Sequence, residues 1–152
     1  MASQLKRLTT DELEMLYKAP LLVSILIAGA DGRIDKNEIN GGMSTAQKKA
    51  HSNSALKLYY QNVAEDFEDK LKVLEQAYSS KPNERTIEIS AELSTLNSIF
   101  EKVDGSLASD IYESLKSLAV NIAKSSGGFL RSKIGPEEAA LLDLKMIHPP
   151  KR

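Results

Sequence analysis

The stretch LLVSILIAGADGRIDKNEI, residues 21–39, joins the longest apolar run of the chain to an Asp-Gly loop. The run from Leu21 to Ala28 is apolar on nearly every side, as expected of a helix surrounded by other helices. It therefore predicts the central helix of a helical core. Pro20, directly before it, predicts a boundary or a bend at that point.

The rest of the chain repeats the helical period of 3.6 residues and alternates at period two in few places. One long helix is predicted by apolar residues at steps of three and four, which are Leu56, Tyr60, Val63, Phe67, Leu71, Leu74 and Tyr78. This stripe is interpreted as core rather than as a groove for a partner helix. The class that follows is all-α, a single-domain bundle of about seven helices.

Other helix starts and ends are predicted from proline, glycine and serine residues. Pro82 starts a helix that runs to Val103 and ends at Asp104-Gly105. The next helix, capped by Ser109 or starting slightly earlier, stops at the Ser-Gly run 125–128. A last short helix opens at Pro136.

Two capping boxes are predicted in the first third of the chain. Thr9 and Glu12 have the spacing in which each side chain bonds the backbone of the other, so a helix is expected from about residue 10 to residue 18. Gly41-Gly42 is interpreted as a helix stop, followed by a box from Ser44 and Gln47.

Length and composition limit the classes of protein. The 152 residues fit one domain, with residues 1–8 and 147–152 expected to fray. The net charge of −1 gives no electrostatic case for nucleic acid. The absence of cysteine excludes disulfides and thiolate metal sites, and no apolar run reaches the roughly 20 residues of a membrane span. We therefore expect a cytoplasmic protein without a membrane span.

The two ends of the chain resemble each other. A shift of 99 residues superposes six identical pairs, which are Leu8 and Leu107, Asp11 and Asp110, Glu14 and Glu113, Leu16 and Leu115, Gly29 and Gly128, and Glu38 and Glu137. Both copies contain a helix, an apolar helix, a glycine-containing loop and an acidic helix start. This pattern predicts an internal repeat and two pseudo-symmetric halves.

The Asp-Gly loop is the candidate site. If Gly32 is placed at position 6 of an EF-hand loop, then Asp31, Asp35 and Glu38 fall at positions 5, 9 and 12. Positions 1 and 3 then lack side-chain oxygens, so an ordinary EF-hand is not matched. Two interpretations stay open: Asp35 and Glu38 form a capping box behind an Asp-Gly turn, or the three carboxylates also converge on a hard cation.

The motif of an apolar helix followed by Ala-Asp-Gly-x-Ile-x-x-x-Glu, over roughly residues 20–39, resembles the tellurite-resistance TerB-like family. The resemblance implies an all-helical fold with two pseudo-symmetric halves and a metal site formed by acidic residues of this loop and its symmetry mate. Carried over to this chain, the implied ligands are Asp31 and Glu38, with Asp35 as a neighbour.

The second half departs from the family pattern. The segment KSSGGFLRSKIGPEE keeps the glycine pair and Ile134, but no aspartate precedes Gly128. A symmetric second metal site is therefore not expected. Glu137 or Glu138 is expected to complete a single shared site, or else the second loop forms a binding surface around Phe129.

No enzyme signature is present in the sequence. His51 and His148 are the only histidines and are interpreted as surface residues, and no serine lies in a Gly-x-Ser-x-Gly elbow. The leading expectation is a non-enzymatic TerB-like domain of stress response, with one divalent cation (calcium, magnesium or manganese) as its cofactor and another protein as its partner. The alternative is a metal-free protein interaction module whose Asp-Gly loop only caps a helix.

Overall fold

The computed structural model describes residues 5, 7–29, 36–126 and 141–150 and, of Glu38, Ser125 and Ser126, the backbone only. Its helices are α1 Thr10–Ala28, α2 Lys36–Lys49, α3 Ser54–Ala64, α4 Phe67–Ala77, α5 Pro82–Ser94, α6 Leu96–Phe100 and α7 Gly105–Ser126, with a 3₁₀ turn at Ala50–Ser52 between α2 and α3. No strand occurs in these ranges, so the all-α class is confirmed for them.

The core is built around α1 and α7. Every residue of α1 from Ala19 to Ala28 is buried, as the all-round apolar run predicts. Helices α1 and α2 both pack against α7, whose inward residues such as Leu115 and Ile122 are fully buried. The helix that leads into the Asp-Gly loop is therefore the central helix of the bundle.

The expected boundary at Pro20 is absent from α1, which continues through the proline as one helix. Proline has no N–H to bond the carbonyl four residues earlier, which here belongs to Leu16. The hydroxyl of Tyr59 in α3 donates to that carbonyl at 2.6 Å instead. Burial raises the pKa of Tyr59 well above its usual value, so the hydroxyl keeps its proton. Tertiary structure thus supplies the bond that the proline removes.

The helix stop predicted at Gly41-Gly42 is also wrong, because α2 runs through both glycines. Gly42 is buried against α7, and a Cβ built on it would lie 2.6 Å from Cγ1 of Ile122. Gly42 therefore permits close helix packing. The Ser44/Gln47 box falls inside α2 and does not cap a helix.

The single long helix predicted over the stripe 56–78 is two helices, α3 and α4. Asp66 separates them with a left-handed φ of 55°, and Asn53 caps α3 by accepting from the Leu56 N–H at 3.1 Å. The stripe is still core, since Tyr60, Val63 and Leu71 are buried.

The helix predicted from Pro82 to Val103 starts as expected but is interrupted at Thr95, which separates α5 from α6. Helix α7 begins at Gly105, so of the two predicted starts the earlier one is confirmed and the cap at Ser109 is wrong. The Asp104 carboxylate accepts from the Leu107 N–H at 3.3 Å, so Asp104 starts the following helix as its cap.

The terminal segments pack on the bundle where the structure describes them. Leu5, expected to fray, is only 7% exposed, and Ile147 is 2% exposed. The side chain of Asn97 holds the C-terminal segment on both sides: its amide donates to the Met146 carbonyl at 3.1 Å and its oxygen accepts from the His148 N–H at 2.8 Å. The prediction that the tail frays from residue 147 is therefore wrong for residues 147 and 148.

The last predicted helix and the internal repeat stay predictions. The helix opening at Pro136 and both loops of the proposed repeat, residues 30–35 and 127–135, lie outside the described residues. The helix total of the whole chain and its two pseudo-symmetric halves therefore stay predictions. Within the described helices, none has the length and apolar character needed to cross a membrane.

Candidate functional site: the Asp-Gly loop and its anchors

The entrance to the Asp-Gly loop is fixed at Gly29, the residue that ends α1. Its N–H donates to the Ile25 carbonyl at 2.9 Å, and its own carbonyl accepts from Nη2 of Arg85 at 2.8 Å. A Cβ built on Gly29 would lie 2.6 Å from Nη2 of Arg85. Glycine at this position therefore allows the guanidinium to reach the end of the helix.

Arg85 comes from α5 and is only 7% exposed. Helix α1 carries no basic residue in its own last turn, where a positive charge would offset the partial negative charge of the free carbonyls. Arg85 supplies that charge from another helix. Among the residues that the structure describes, the Gly29 carbonyl is the one hydrogen-bond partner of the guanidinium.

The exit of the loop is fixed at the start of α2. Ile39, in the first turn and a half of this helix, is fully buried. Gly42 then allows α2 to pack closely against α7. Both ends of the acidic loop are therefore attached to the core, one through a hydrogen bond to Arg85 and the other through side-chain packing.

The predicted ligands themselves fall largely beyond what is described. Asp31, Asp35, Glu137 and Glu138 lie outside the described residues, and Glu38 is described by its backbone alone. Because α2 begins at Lys36, Glu38 occupies the third helical position, which is the position that a capping box with Asp35 requires. The capping box and the convergence of the carboxylates therefore stay predictions.

Elsewhere the described part of the chain contains no group of three or more Asp, Glu or His side chains that could hold a metal ion. His51 and His148, interpreted from the sequence as surface residues, are exposed. The Asp-Gly loop therefore stays the candidate cation site.

A polar cleft of about 340 Å³ lies between α2, α3 and α7. Its side chains bond one another: Asn53 donates to the Asp110 carboxylate at 2.9 Å, and Lys49 Nζ donates to the Ser117 hydroxyl at 3.3 Å. Asn53 also caps α3. These contacts connect α2 and α3 to α7 across the cleft.

Arg85 was missed by sequence reasoning, although a signal for it exists. Arg85, Ile89 and Leu93 are spaced by four residues, so they share one face of α5, and all three are buried. A charged residue on the buried face of a helix indicates a buried partner, because arginine is rarely buried without one.

Comparison with known proteins does not identify the chain. No protein-family model matches it, and neither a curated protein nor a solved structure was found that matches it.

Proposed function

We propose that this chain is a non-enzymatic TerB-like helical domain of stress response, related to tellurite resistance, that binds one divalent cation in its Asp-Gly loop. Asp31, Asp35 and Glu38 would supply the carboxylates, and Glu137 or Glu138 would complete the site from the second of two pseudo-symmetric halves. The observation that carries the proposal is the attachment of both ends of the loop to the core, at Gly29 and at Ile39.

Attached ends favour ligand binding because they reduce the conformational entropy that binding must overcome. Fixing the backbone of one free residue costs about 1–2 kcal/mol. The segment between Gly29 and Ile39 has nine residues, and its first and last neighbours are already held by the bundle. A cation would therefore bind to a short loop that is held at both ends.

The ligand types favour a hard cation. Carboxylates and backbone carbonyls suit calcium, magnesium and manganese, whereas soft metals prefer sulfur ligands such as thiolates, and the chain has no cysteine. Asp31 is the informative ligand, since the spacing of Asp35 and Glu38 is also explained by a capping box at the start of α2.

Calorimetric titration of the protein with calcium, magnesium, manganese and zinc chlorides would test the site. We expect one of the hard cations to bind the wild type, and binding to be lost in a variant combining Asp31→Asn with Glu38→Gln. A control variant, Glu65→Gln with Glu101→Gln, removes two exposed carboxylates outside the loop and should bind normally. Equal weak binding in all three proteins would refute the cation site.

A second candidate, the metal-free interaction module, is favoured by Arg85. Its buried positive charge is bonded to the carbonyl of Gly29, two residues before Asp31 in the chain. That charge is unfavourable for a nearby cation and favourable for the carboxylates of the loop. This candidate predicts that Glu38→Ala lowers the free energy of unfolding by about 1 kcal/mol through lost capping. It also predicts a melting temperature that is the same with and without divalent cations, because only a ligand that binds the folded state raises it.

A further inference from the structure

The C-terminal segment of residues 141–150 packs against α6 and α7. Two of its side chains insert into the core, since Leu144 is fully buried and Ile147 is 2% exposed. Lys145 and His148, beside these two residues, are open to solvent. We call residues 141–150 the C-terminal strap. The strap is therefore anchored through two apolar side chains that are three residues apart.

Asn97 of α6 binds the backbone of the strap. Its Nδ2 donates to the Met146 carbonyl at 3.1 Å, and its Oδ1 accepts from the His148 N–H at 2.8 Å. An asparagine amide carries both donors and an acceptor, so one side chain satisfies two peptide groups of the strap. In peptide recognition, bonds to the main chain supply affinity and pockets for side chains supply specificity. Asn97 and the sites of Leu144 and Ile147 combine both features.

The docked conformation of the strap carries backbone strain at Leu144. The φ of this residue is 49°, in the left-handed region, although the residue is a leucine and its side chain is fully buried. L residues disfavour this region, and such a conformation persists only where the surrounding contacts impose it. Detachment of the strap releases the strain, which offsets part of the free energy gained by burying Leu144.

The ion pair of the strap is exposed and adds little. The Asp143 carboxylate lies 3.4 Å from Nζ of Lys116 in α7, and the two side chains are 47% and 32% exposed. The same carboxylate also lies 3.2 Å from Nζ of Lys145 within the strap. Exposed ion pairs contribute little to stability because water screens them. Docking of the strap therefore depends mainly on its two apolar anchors and on Asn97.

The end of the strap covers an apolar part of the bundle loosely. A cavity of about 670 Å³ is lined by Pro149 and Pro150 of the strap and by Phe100 and Val103 of the bundle. Phe100 and Val103 are 5% and 6% exposed. Because the strap forms part of this cavity, its detachment would uncover these two side chains together with the sites of its anchors.

We propose that the surface around Asn97 is a peptide-binding site, that the strap of the same chain is its ligand, and that the strap detaches as one unit while the bundle stays folded. Segments with few buried contacts open at a lower free energy than the core of the same protein. The matching ligand in trans is a peptide that repeats Leu144, Ile147 and the spacing between them. This inference is independent of the cation site.

Hydrogen exchange of the wild-type protein, followed by NMR, tests whether the strap opens before the bundle. The N–H groups of Leu144, Ile147 and His148 donate to the Leu141 carbonyl, the Leu144 carbonyl and Asn97 Oδ1. We expect all three to have similar protection and to exchange at least about a hundredfold faster than the buried amides of α1. Exchange at the rate of the α1 amides would overturn the proposal, because the strap would then open only on global unfolding.

Asn97→Ala tests whether the strap opens as one unit. The substitution removes the bond of the His148 N–H and leaves that of the Leu144 N–H in place. A single unit predicts that both groups exchange roughly tenfold faster in the variant. Asn62→Ala, which removes an asparagine bonded to a carbonyl of its own helix α3, is the matched control and should leave both unchanged. Acceleration of His148 alone would indicate fraying of the chain end and refute the proposal.

Peptide binding in trans tests the site itself. Leu144→Ser combined with Ile147→Ser in the full chain removes both anchors and frees the site. The probe is a labelled peptide of residues 141–150, LLDLKMIHPP, and the control peptide carries the same two serines. By fluorescence anisotropy, we expect the probe to bind the double variant at least about tenfold more tightly than the wild type, whose site is occupied.

The control peptide should bind the double variant at least about tenfold more weakly than the probe, because it lacks both anchors. Equal binding of the two peptides, or no binding to a double variant that circular dichroism shows to be folded, would overturn the proposal. If the double variant does not fold, the exchange rates of the wild type and of Asn97→Ala decide. A wild-type dimer in sedimentation that the double variant lacks would mean that the strap docks on a second copy, which would refute a ligand from the same chain.

Discussion

Local sequence signals predict the helix end correctly at the capped start of α1 but fail in the interior of the bundle. Helices α1 and α2 contain Pro20 and a glycine pair, residues that usually end a helix, and continue through them. At the N-terminus of α1, by contrast, Thr9 and Glu12 form the capping box that their spacing predicts. Tertiary contacts override local preferences where packing is dense, and local preferences persist where the chain meets solvent.

The two interior exceptions are supported in different ways. At Pro20 the support is polar, because the Tyr59 hydroxyl replaces the missing backbone donor to Leu16. At Gly42 the support is steric, because the lack of a side chain lets α2 approach Ile122 and Leu118 of α7. Each kind of support can be tested by a substitution that would do little harm in an exposed helix.

The largest effect is expected for Tyr59→Phe. Tyr59 is fully buried between Tyr17 and Tyr60, so removing its hydroxyl leaves the Leu16 carbonyl without a donor. An unsatisfied buried acceptor costs about 1–3 kcal/mol, which would be measured as a lower free energy of unfolding in urea.

The Tyr59 hydroxyl is needed because residue 20 is a proline, so Pro20→Ala is the second substitution of a double-mutant cycle. Alanine at residue 20 restores a backbone N–H that can reach Leu16. We expect Tyr59→Phe to cost clearly less in the Pro20→Ala background than in the wild type. The same cost in both backgrounds would mean that the hydroxyl matters for some other reason.

The next effect separates the two adjacent glycines. Gly42→Ala places a Cβ 2.6 Å from Ile122, so α2 and α7 must shift, and overpacking of this kind costs about 1–3 kcal/mol. Gly41 is exposed, with nothing within 4 Å of a built Cβ, so Gly41→Ala should stabilise the protein by up to about 1 kcal/mol through helix propensity. Thermal unfolding of the two variants should give shifts of opposite sign. Stabilisation by both would place the α2–α7 contact elsewhere than at Gly42.

This contrast also explains how much could be predicted from the sequence. The helical period of the apolar residues predicted the all-α class and the central apolar helix. The capping signals predicted the capping box of Thr9 and Glu12 and the start of α5 at Pro82. All of these signals are local in the sequence. The sequence does not reveal that Tyr59 reaches Leu16 or that α7 lies against Gly42, since both contacts join residues far apart in the chain. Arg85 at Gly29 is of the same kind, and it brings a charge to the candidate site that inspection of the loop alone could not provide.

The smallest effect is expected at the capped end of α1. One oxygen of Glu12 accepts from the Thr9 N–H at 2.9 Å, and the other accepts from Lys102 Nζ at 2.8 Å. The hydrogen bond from Lys102, followed by that from the Thr9 backbone, lowers the pKa of Glu12 below its usual value. The folded state therefore favours the ionised carboxylate.

A lowered folded-state pKa gives stability that is present above the unfolded pKa of Glu12 and is lost as the pH falls through the folded one. Glu12→Gln should therefore melt at a lower temperature than the wild type at pH 7, and the difference should shrink below about pH 4.3, the usual glutamate pKa. Glu14→Gln lies on the exposed side of the same helix, outside the cap and the ion pairs of the described structure, and is the control. Its melting temperature should stay close to that of the wild type. A constant difference between wild type and Glu12→Gln down to pH 2 would mean that the charge of Glu12 does not carry the effect.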